Sequence, residues 1–179
     1  MKTTYVAMLR GINVSGRNKL AMEDLRTLVT AAGGADVRTY IQSGNAVFTS
    51  SASATRIVTD LKERLEGFLG TTVPVLVRTT AELDAAMEKN PFLRRGEDPA
   101  TLHVTFMAAV PSQADVTAAQ AKAVAADEFQ VIGREVYLRC PDGYGTTKLT
   151  NTFFEKRFGW EATTRNWRTV TTLAAMAHG

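Results

Sequence analysis

Asp36-Val-Arg-Thr-Tyr-Ile-Gln-Ser-Gly-Asn-Ala-Val-Phe-Thr49 is the stretch on which the reading of this chain turns. Its first half alternates, with Val37, Thr39 and Ile41 on one face and Arg38, Tyr40 and Gln42 on the other, as a strand requires. Ser43-Gly-Asn45 is a tight-turn signal, and Ala46–Thr49 returns as the second arm of a hairpin. Upstream, Tyr5–Leu9 is a short apolar run that reads as a buried strand. Met22, Leu25, Leu28, Val29 and Ala32 then recur at helical spacing until Gly33-Gly34 stop them. Downstream, Ser51–Ser53 offers a helix cap. Ile57, Val58, Leu61, Leu65, Phe68 and Leu69 form an amphipathic helix that ends at Gly70. Val73-Pro-Val-Leu-Val77 closes the series as a strand, with Pro74 at its beginning or at a sheet edge. The order is β-α-β-β-α-β, that of a ferredoxin-like unit.

The second half repeats the start of that order. Leu102–Val110 reads as a strand, Asp115–Ala126 as an alanine-rich helix, and Phe129–Ile132 with Glu135–Cys140 as a hairpin about Gly133-Arg134. A helix is expected from about Thr147 to Phe158 and another from about Arg165 to Ala177, carrying Trp167, Val170 and Ala174 on one stripe. The expected fold class is therefore α+β, with two ferredoxin-like (βαββαβ-type) subdomains from a degenerate internal duplication and extra C-terminal helices ending the second half. The division is residues 1–79, a connecting helix and linker over 80–100 where Asn90-Pro91-Phe92 ends the helix, and 101–179 with two terminal helices.

The 179 residues, 45% apolar and 22% charged, suit a globular chain of one or two small domains. A lone Cys140 rules out an internal disulfide. No run reaches a membrane-spanning length, and no signal-peptide pattern stands at Met1-Lys-Thr-Thr-Tyr5, so cytoplasmic residence is expected. Net charge is +3; residues 1–50 carry six Lys/Arg against three Asp/Glu and residues 141–179 five against three, which suggests a basic surface wherever the two ends meet.

Leu9-Arg-Gly-Ile-Asn-Val-Ser-Gly-Arg-Asn-Lys19 is the most unusual segment. Two glycines, two asparagines and three cations between a strand and a helix suit an anion-receiving loop. Gly11-x-x-x-x-Gly16-Arg17-Asn18 has P-loop spacing, but Arg stands in place of Lys and Asn in place of the hydroxyl, which speaks against nucleotide hydrolysis. Gly143-Tyr-Gly-Thr-Thr-Lys148 and Thr163-Thr-Arg-Asn-Trp-Arg168 are read as two further anion sites at helix starts. For the first, an N-cap role for Thr146 or Thr147 is the competing reading. For the second, Arg165 and Arg168 would share a helical face, while Trp167 is more simply core. Arg38, Tyr40 and Gln42 either form an open binding face or hold neighbouring loops by hydrogen bonds. His103, His178 and Cys140 show no catalytic or metal-ligand spacing.

Leu9-Arg-Gly-Ile-Asn-Val-x-Gly, Arg38-Thr-Tyr-Ile-Gln-Ser-Gly-Asn45, Val73-Pro-Val-x-Val77 with Arg78, Asn90-Pro-Phe92, Gly143-x-Gly-x-Thr-Lys-Leu149 and Thr164-Arg-Asn-Trp-Arg-Thr-Val170 occur in this order. Together they resemble the domain-of-unknown-function family numbered 1697 over nearly the whole chain. The resemblance implies a two-part α+β fold related to duplicated ferredoxin-like units, and it implies no activity. The chain departs from the family pattern at Ala21, where proline is usual, and at Thr146-Thr147, where Arg-Ser is common. The second departure removes a cation from a candidate anion site.

Three functional readings follow. In the first, the glycine loop and the two later helix starts surround a basic pocket for a phosphate-bearing ligand, either a nucleotide or a nucleic-acid backbone. Its residues are Arg10, Gly11, Asn13, Gly16, Arg17, Lys19, Arg38, Gln42, Asn45, Thr147, Lys148, Arg165 and Arg168. The second is an enzyme acting on a phosphorylated small molecule, with Arg and Lys as electrostatic stabilisers. In the third, a structural or interaction module, the same polar residues are buried scaffolding. No cofactor, metal site or membrane partner is expected.

Overall fold

A computed structural model describes residues 1–122 and 126–179. It is a mixed α+β chain in two compact units, Met1–Asp84 with Thr172–Gly179, and Ala85–Thr171.

The first unit contains β1 (Thr3–Leu9), α1 (Met22–Ala31), β2 (Ala35–Tyr40), β3 (Asn45–Ser50), α2 (Ala54–Leu69) and β4 (Val75–Thr79). The strands form one antiparallel sheet in the order β2-β3-β1-β4. Alternate strand residues, Tyr5, Ala7 and Leu9 of β1, Phe48 of β3, and Val75 and Val77 of β4, meet Leu25 and Val29 of α1 and Ile57, Leu61 and Leu65 of α2 in one core. Each fully buried leucine there contributes roughly 1.5–3 kcal/mol by leaving water. Ser53 caps α2 by accepting from the Arg56 N–H, and Gly70 ends it at φ 74° with its N–H on the Glu66 carbonyl. β2 stops at Tyr40, so Gln42 belongs to the turn and not to the strand face expected for it. The reason is a reversal of backbone hand at Ile41, described below.

The chain continues through α3 (Thr80–Glu88) and the short α4 (Pro91–Arg94). Asn90 is the N-cap of α4, accepting from the N–H groups of Phe92 and Leu93, so Asn90-Pro91-Phe92 starts a helix as well as ending one. The polar segment that follows is pinned, because Arg95 and Arg139 both pair with Glu97 and Glu128 at 2.8–3.2 Å.

The second unit adds β5 (Leu102–Met107), α5 (Gln113–Gln120), β6 (Glu128–Ile132), β7 (Glu135–Arg139), α6 (Asn151–Phe158) and β8 (Ala162–Asn166). Its sheet is antiparallel, in the order β6-β7-β5-β8. Met107, Val136 and Leu138 pack with Val116, Ala119, Phe154 and Phe158 in a separate core. The expected alanine-rich helix is realised as α5, and residues 123–125 of that expectation lie outside the described residues. Two further expectations are corrected. The helix expected from Thr147 begins at Asn151, because Thr150 supplies the capping hydroxyl to the Phe153 N–H. The helix expected from Arg165 is preceded by strand β8 and begins at Trp167 as α7 (Trp167–Ala177). β8 pairs along β5 from His103 to Met107, so the backbone of Ala162–Asn166 is taken by the sheet. No described helix is long and apolar enough to cross a membrane.

Candidate functional site: the Arg10–Leu20 loop and the β2–β3 turn

The connection from β1 to α1 is anchored at both sides by apolar residues, Ile12 at 1% exposure and Leu20 at 2%. Between them the chain forms a miniature hairpin. The Arg17 N–H donates to the Val14 carbonyl at 2.9 Å, and the Asn13 N–H to the Asn18 carbonyl at 3.1 Å. Ser15 and Gly16 at its tip have φ 51° and 73°, the positive pair of a tight I′-type turn. Asn13 and Asn18 are also left-handed, at φ 56° and 49°. Asparagine tolerates that region better than other side-chain-bearing residues, because its short amide bonds locally.

Asn13 organises the loop. Its Nδ2 donates to the Leu20 carbonyl at 2.9 Å and the Gln42 carbonyl at 2.8 Å, while its Oδ1 accepts from the Leu20 N–H at 2.9 Å. Asn18 Nδ2 closes the other side on the Gly11 carbonyl at 2.9 Å. The loop and the β2–β3 turn are thus one structure, joined again where the Leu9 N–H donates to the Gly44 carbonyl at 2.9 Å. Gly44 has φ 86°, and a Cβ there would lie 3.0 Å from the Leu9 Cβ and 3.3 Å from Ile12. Asn45, fully buried, braces the turn from Nδ2 to the Tyr40 carbonyl and the Ser43 hydroxyl.

Ile41 is the anomaly of this turn. It has φ 49°, a conformation that costs a β-branched residue on the order of 1–3 kcal/mol. Its side chain is 49% exposed, so burial does not offset the strain. Val14, beside the tip of the loop hairpin, is 57% exposed. Arg17 and Lys19 are exposed as well, and no carboxylate of the described residues pairs with either. The segments Arg10–Ala21 and Arg38–Ser50 contain four cations and no Asp or Glu.

Several of the candidate residues are engaged within the fold. Arg38 donates from Nη2 to the Met176 carbonyl in the last turn of α7 at 2.6 Å, where a cation complements the helix dipole. In the second unit, Thr147 donates its hydroxyl to Asp127 at 2.6 Å and accepts from the Leu149 N–H. Lys148 is exposed in the same connection, and neither residue stands at a helix N-terminus. A carboxylate this close to Thr147 disfavours an anion there. Arg165 lies in β8 and Arg168 in α7, so the helical face expected for the pair does not exist. Arg165 is 8% exposed, donates to the Thr163 hydroxyl at 2.8 Å and the Thr164 carbonyl at 3.0 Å, and burial pulls its pKa down to about 10. Trp167 is buried, as its core reading expected.

The family model described as a protein of unknown function, DUF1697, matches residues 1–137. This chain belongs to that family. Among solved structures, a conserved bacterial protein, SP0830 from Streptococcus pneumoniae, is similar to it with a TM-score of 0.76 and 24% identity, covering 99% of each chain. That likeness extends the shared fold over the full length of the DUF1697 chain. A putative glycine cleavage system transcriptional repressor aligns over 92% of this chain and 97% of its own with 13% identity, but its TM-score is 0.26. No curated protein matches.

Sequence reasoning missed two residues of this DUF1697 chain. Residue preference predicts a strand at Ile41, because β-branched side chains favour strands. The adjoining Ser43-Gly-Asn signal places the start of the turn two residues late, since β2 ends at Tyr40. Arg78 is 1% exposed in β4, next to the carbonyl of Val77 that it donates to at 3.0 Å. Its sequence signals are a cation closing the apolar run Val73–Val77 and a place in the motif that carries the family resemblance, and neither shows that it is buried.

Proposed function

We propose that the protein binds a phosphate-bearing ligand at the joined surface of the Arg10–Leu20 loop and the β2–β3 turn. The observation that carries this reading is the pair of exposed cations, Arg17 and Lys19, held on a braced loop that lacks any carboxylate. The N–H groups of Ser15 and Gly16 sit at its exposed tip in left-handed backbone, a geometry that suits anion capture. Hydrogen bonds between ionised partners are roughly twice as strong as neutral ones, and a loop already held by Asn13 and Asn18 loses little entropy on binding. Gly11, Asn13, Gln42 and Asn45 serve this site as frame, with Arg10 flanking it.

Arg38, Thr147 and Arg165 fit the scaffold reading better, since each is engaged with a carbonyl, a carboxylate or a neighbouring hydroxyl. Lys148 and Arg168 stand outside the proposed site. We place the protein in the cytoplasm, where the lone, buried Cys140 needs no partner. We also read the two units as ferredoxin-like repeats of one ancestor, residues 1–79 and 101–179, joined by 80–100. Both have the same element order and equivalent strand orders.

Isothermal titration with inorganic pyrophosphate tests the site. Binding by the wild type that falls at least about tenfold in Arg17→Ala/Lys19→Ala, with unchanged melting temperature, is the expected result. No binding by the wild type, or equal binding by the double variant, overturns the reading.

A further inference from the structure

Ile41 and Val14 ask for an explanation that anion binding alone does not give. Both are aliphatic, both are about half exposed, and each is one residue from the hydrogen bond that joins Asn13 Nδ2 to the Gln42 carbonyl. Ile41 is held in left-handed backbone that glycine or asparagine would adopt with less strain: bonds to the Tyr40 and Gln42 carbonyls fix the turn, but the exposed side chain recovers little by burial. Residues held in strained backbone cluster at active and ligand-binding sites. Arg17 and Lys19 lie on the same loop as Val14, so the surface offers cations beside an apolar lip.

We infer that Ile41 and Val14 form an apolar lip that packs against the ring of a nucleoside phosphate whose phosphates are held by Arg17, Lys19 and the loop tip. This rests on the proposed phosphate-binding reading and narrows the ligand class. Inorganic phosphates and sugar phosphates have no flat apolar face for the lip to cover, whereas a nucleobase has one. A free nucleotide and a nucleotide within a single strand share this chemistry.

The test is titration calorimetry on the full chain with pyrophosphate, ribose 5-phosphate, the four nucleoside triphosphates and a short single-stranded oligonucleotide, for the wild type, Ile41→Gly and Val14→Ser. The expected result is a preference of the wild type for at least one nucleotide over pyrophosphate of about tenfold, as two partly exposed aliphatic side chains would give on covering one ring. Ile41→Gly should lose most of that preference, keep pyrophosphate binding, and melt no lower than the wild type, because glycine relieves the left-handed strain. Val14→Ser should lose part of it. A tighter oligonucleotide complex that weakens steeply with salt assigns the lip to nucleic acid, and a salt-tolerant mononucleotide complex assigns it to free nucleotide. Equal affinity for pyrophosphate and every nucleotide, or a preference intact in Ile41→Gly, overturns the lip while leaving the anion site standing. A wild type that binds neither pyrophosphate nor nucleotide removes both.

Discussion

The two units share a frame bond by bond and differ where the first carries its loop. In the first, Leu9 at the end of β1 donates to the Gly44 carbonyl of the hairpin turn, and Arg10 donates to the Pro74 carbonyl just before β4. In the second, Met107 at the end of β5 donates to the Arg134 carbonyl of its turn, and Ala108 to the Glu161 carbonyl just before β8. The second helices match as well. Ser53 and Thr150 cap α2 and α6, and each helix ends on a left-handed glycine, Gly70 or Gly159, that donates to a glutamate carbonyl. Against this common background, the connection after β1 runs from Arg10 to Ala21 with its own hairpin, while the one after β5 is Ala108–Ser112 and uncharged. The β2–β3 turn strains Ile41, while Gly133-Arg134 joins β6 and β7 in regular register. Features present in both units hold the sheets. Features found in one unit alone are those on which the proposed site is built.

The sharpest way to break this comparison is a matched pair of substitutions in the two turns. Gly44→Ala should cost about 2–4 kcal/mol, since it combines a positive φ with a Cβ only 3.0 Å from Leu9. Gly133→Ala, where a Cβ meets nothing nearer than the Glu135 carboxylate at 3.8 Å, should cost about 1 kcal/mol. Urea unfolding measures both, and equal costs would mean that the turns are not differently built. Next in size is Asn13→Ala, which removes three hydrogen bonds and should lower stability by roughly 2–3 kcal/mol. The loop after β5 has no such brace. Its Ser112 N-cap accepts from the Asp115 N–H, and Ser112→Ala should cost about 1 kcal/mol in the same assay.

The smallest effect separates the sheets by pH. Counting back from Leu9 and Met107, Tyr5 and His103 occupy the same place in their strands. Tyr5 donates its hydroxyl to the Ala52 carbonyl at 3.0 Å. His103 stacks on Tyr144 at 4.9 Å between ring centroids, and burial, opposed by a bond to Thr101, lowers its pKa. The folded state therefore keeps this ring neutral at pH values where the unfolded chain, titrating near about 6.5, takes up a proton. That contribution is present above the unfolded value and is lost as pH falls through the lower folded one. Stability measured against pH should lose part of its decline below about pH 6.5 in His103→Gln. An unchanged profile would show that His103 is solvated in the native state.

Much of the frame was legible because it obeys local rules. The apolar spacing of Ile57, Leu61 and Leu65, the serine before α2 and the glycines after α2 and α6 each announce their structure without help from distant residues. What stayed hidden depends on partners far along the chain. β8 reads Ala-Thr-Thr-Arg-Asn, with no apolar alternation, and is a strand because β5 takes its backbone; Thr163 and Arg165 are buried there. Arg38 looked like a ligand residue, yet its donor finds a carbonyl 138 positions away. At the candidate site, the glycines, asparagines and cations of the opening loop marked the region. The left turn at Ile41 was invisible, because residue preference argued for the opposite conformation.

The three-bond brace at Asn13 has a consequence for how the protein ages. Hydrolytic loss of ammonia would turn its amide into a carboxylate, which can only accept. Two carbonyls, those of Leu20 and Gln42, would then face a negative charge in place of a donor, and a carboxylate would enter a loop that otherwise has none. One spontaneous chemical change would thus loosen the loop and weaken the proposed phosphate site together.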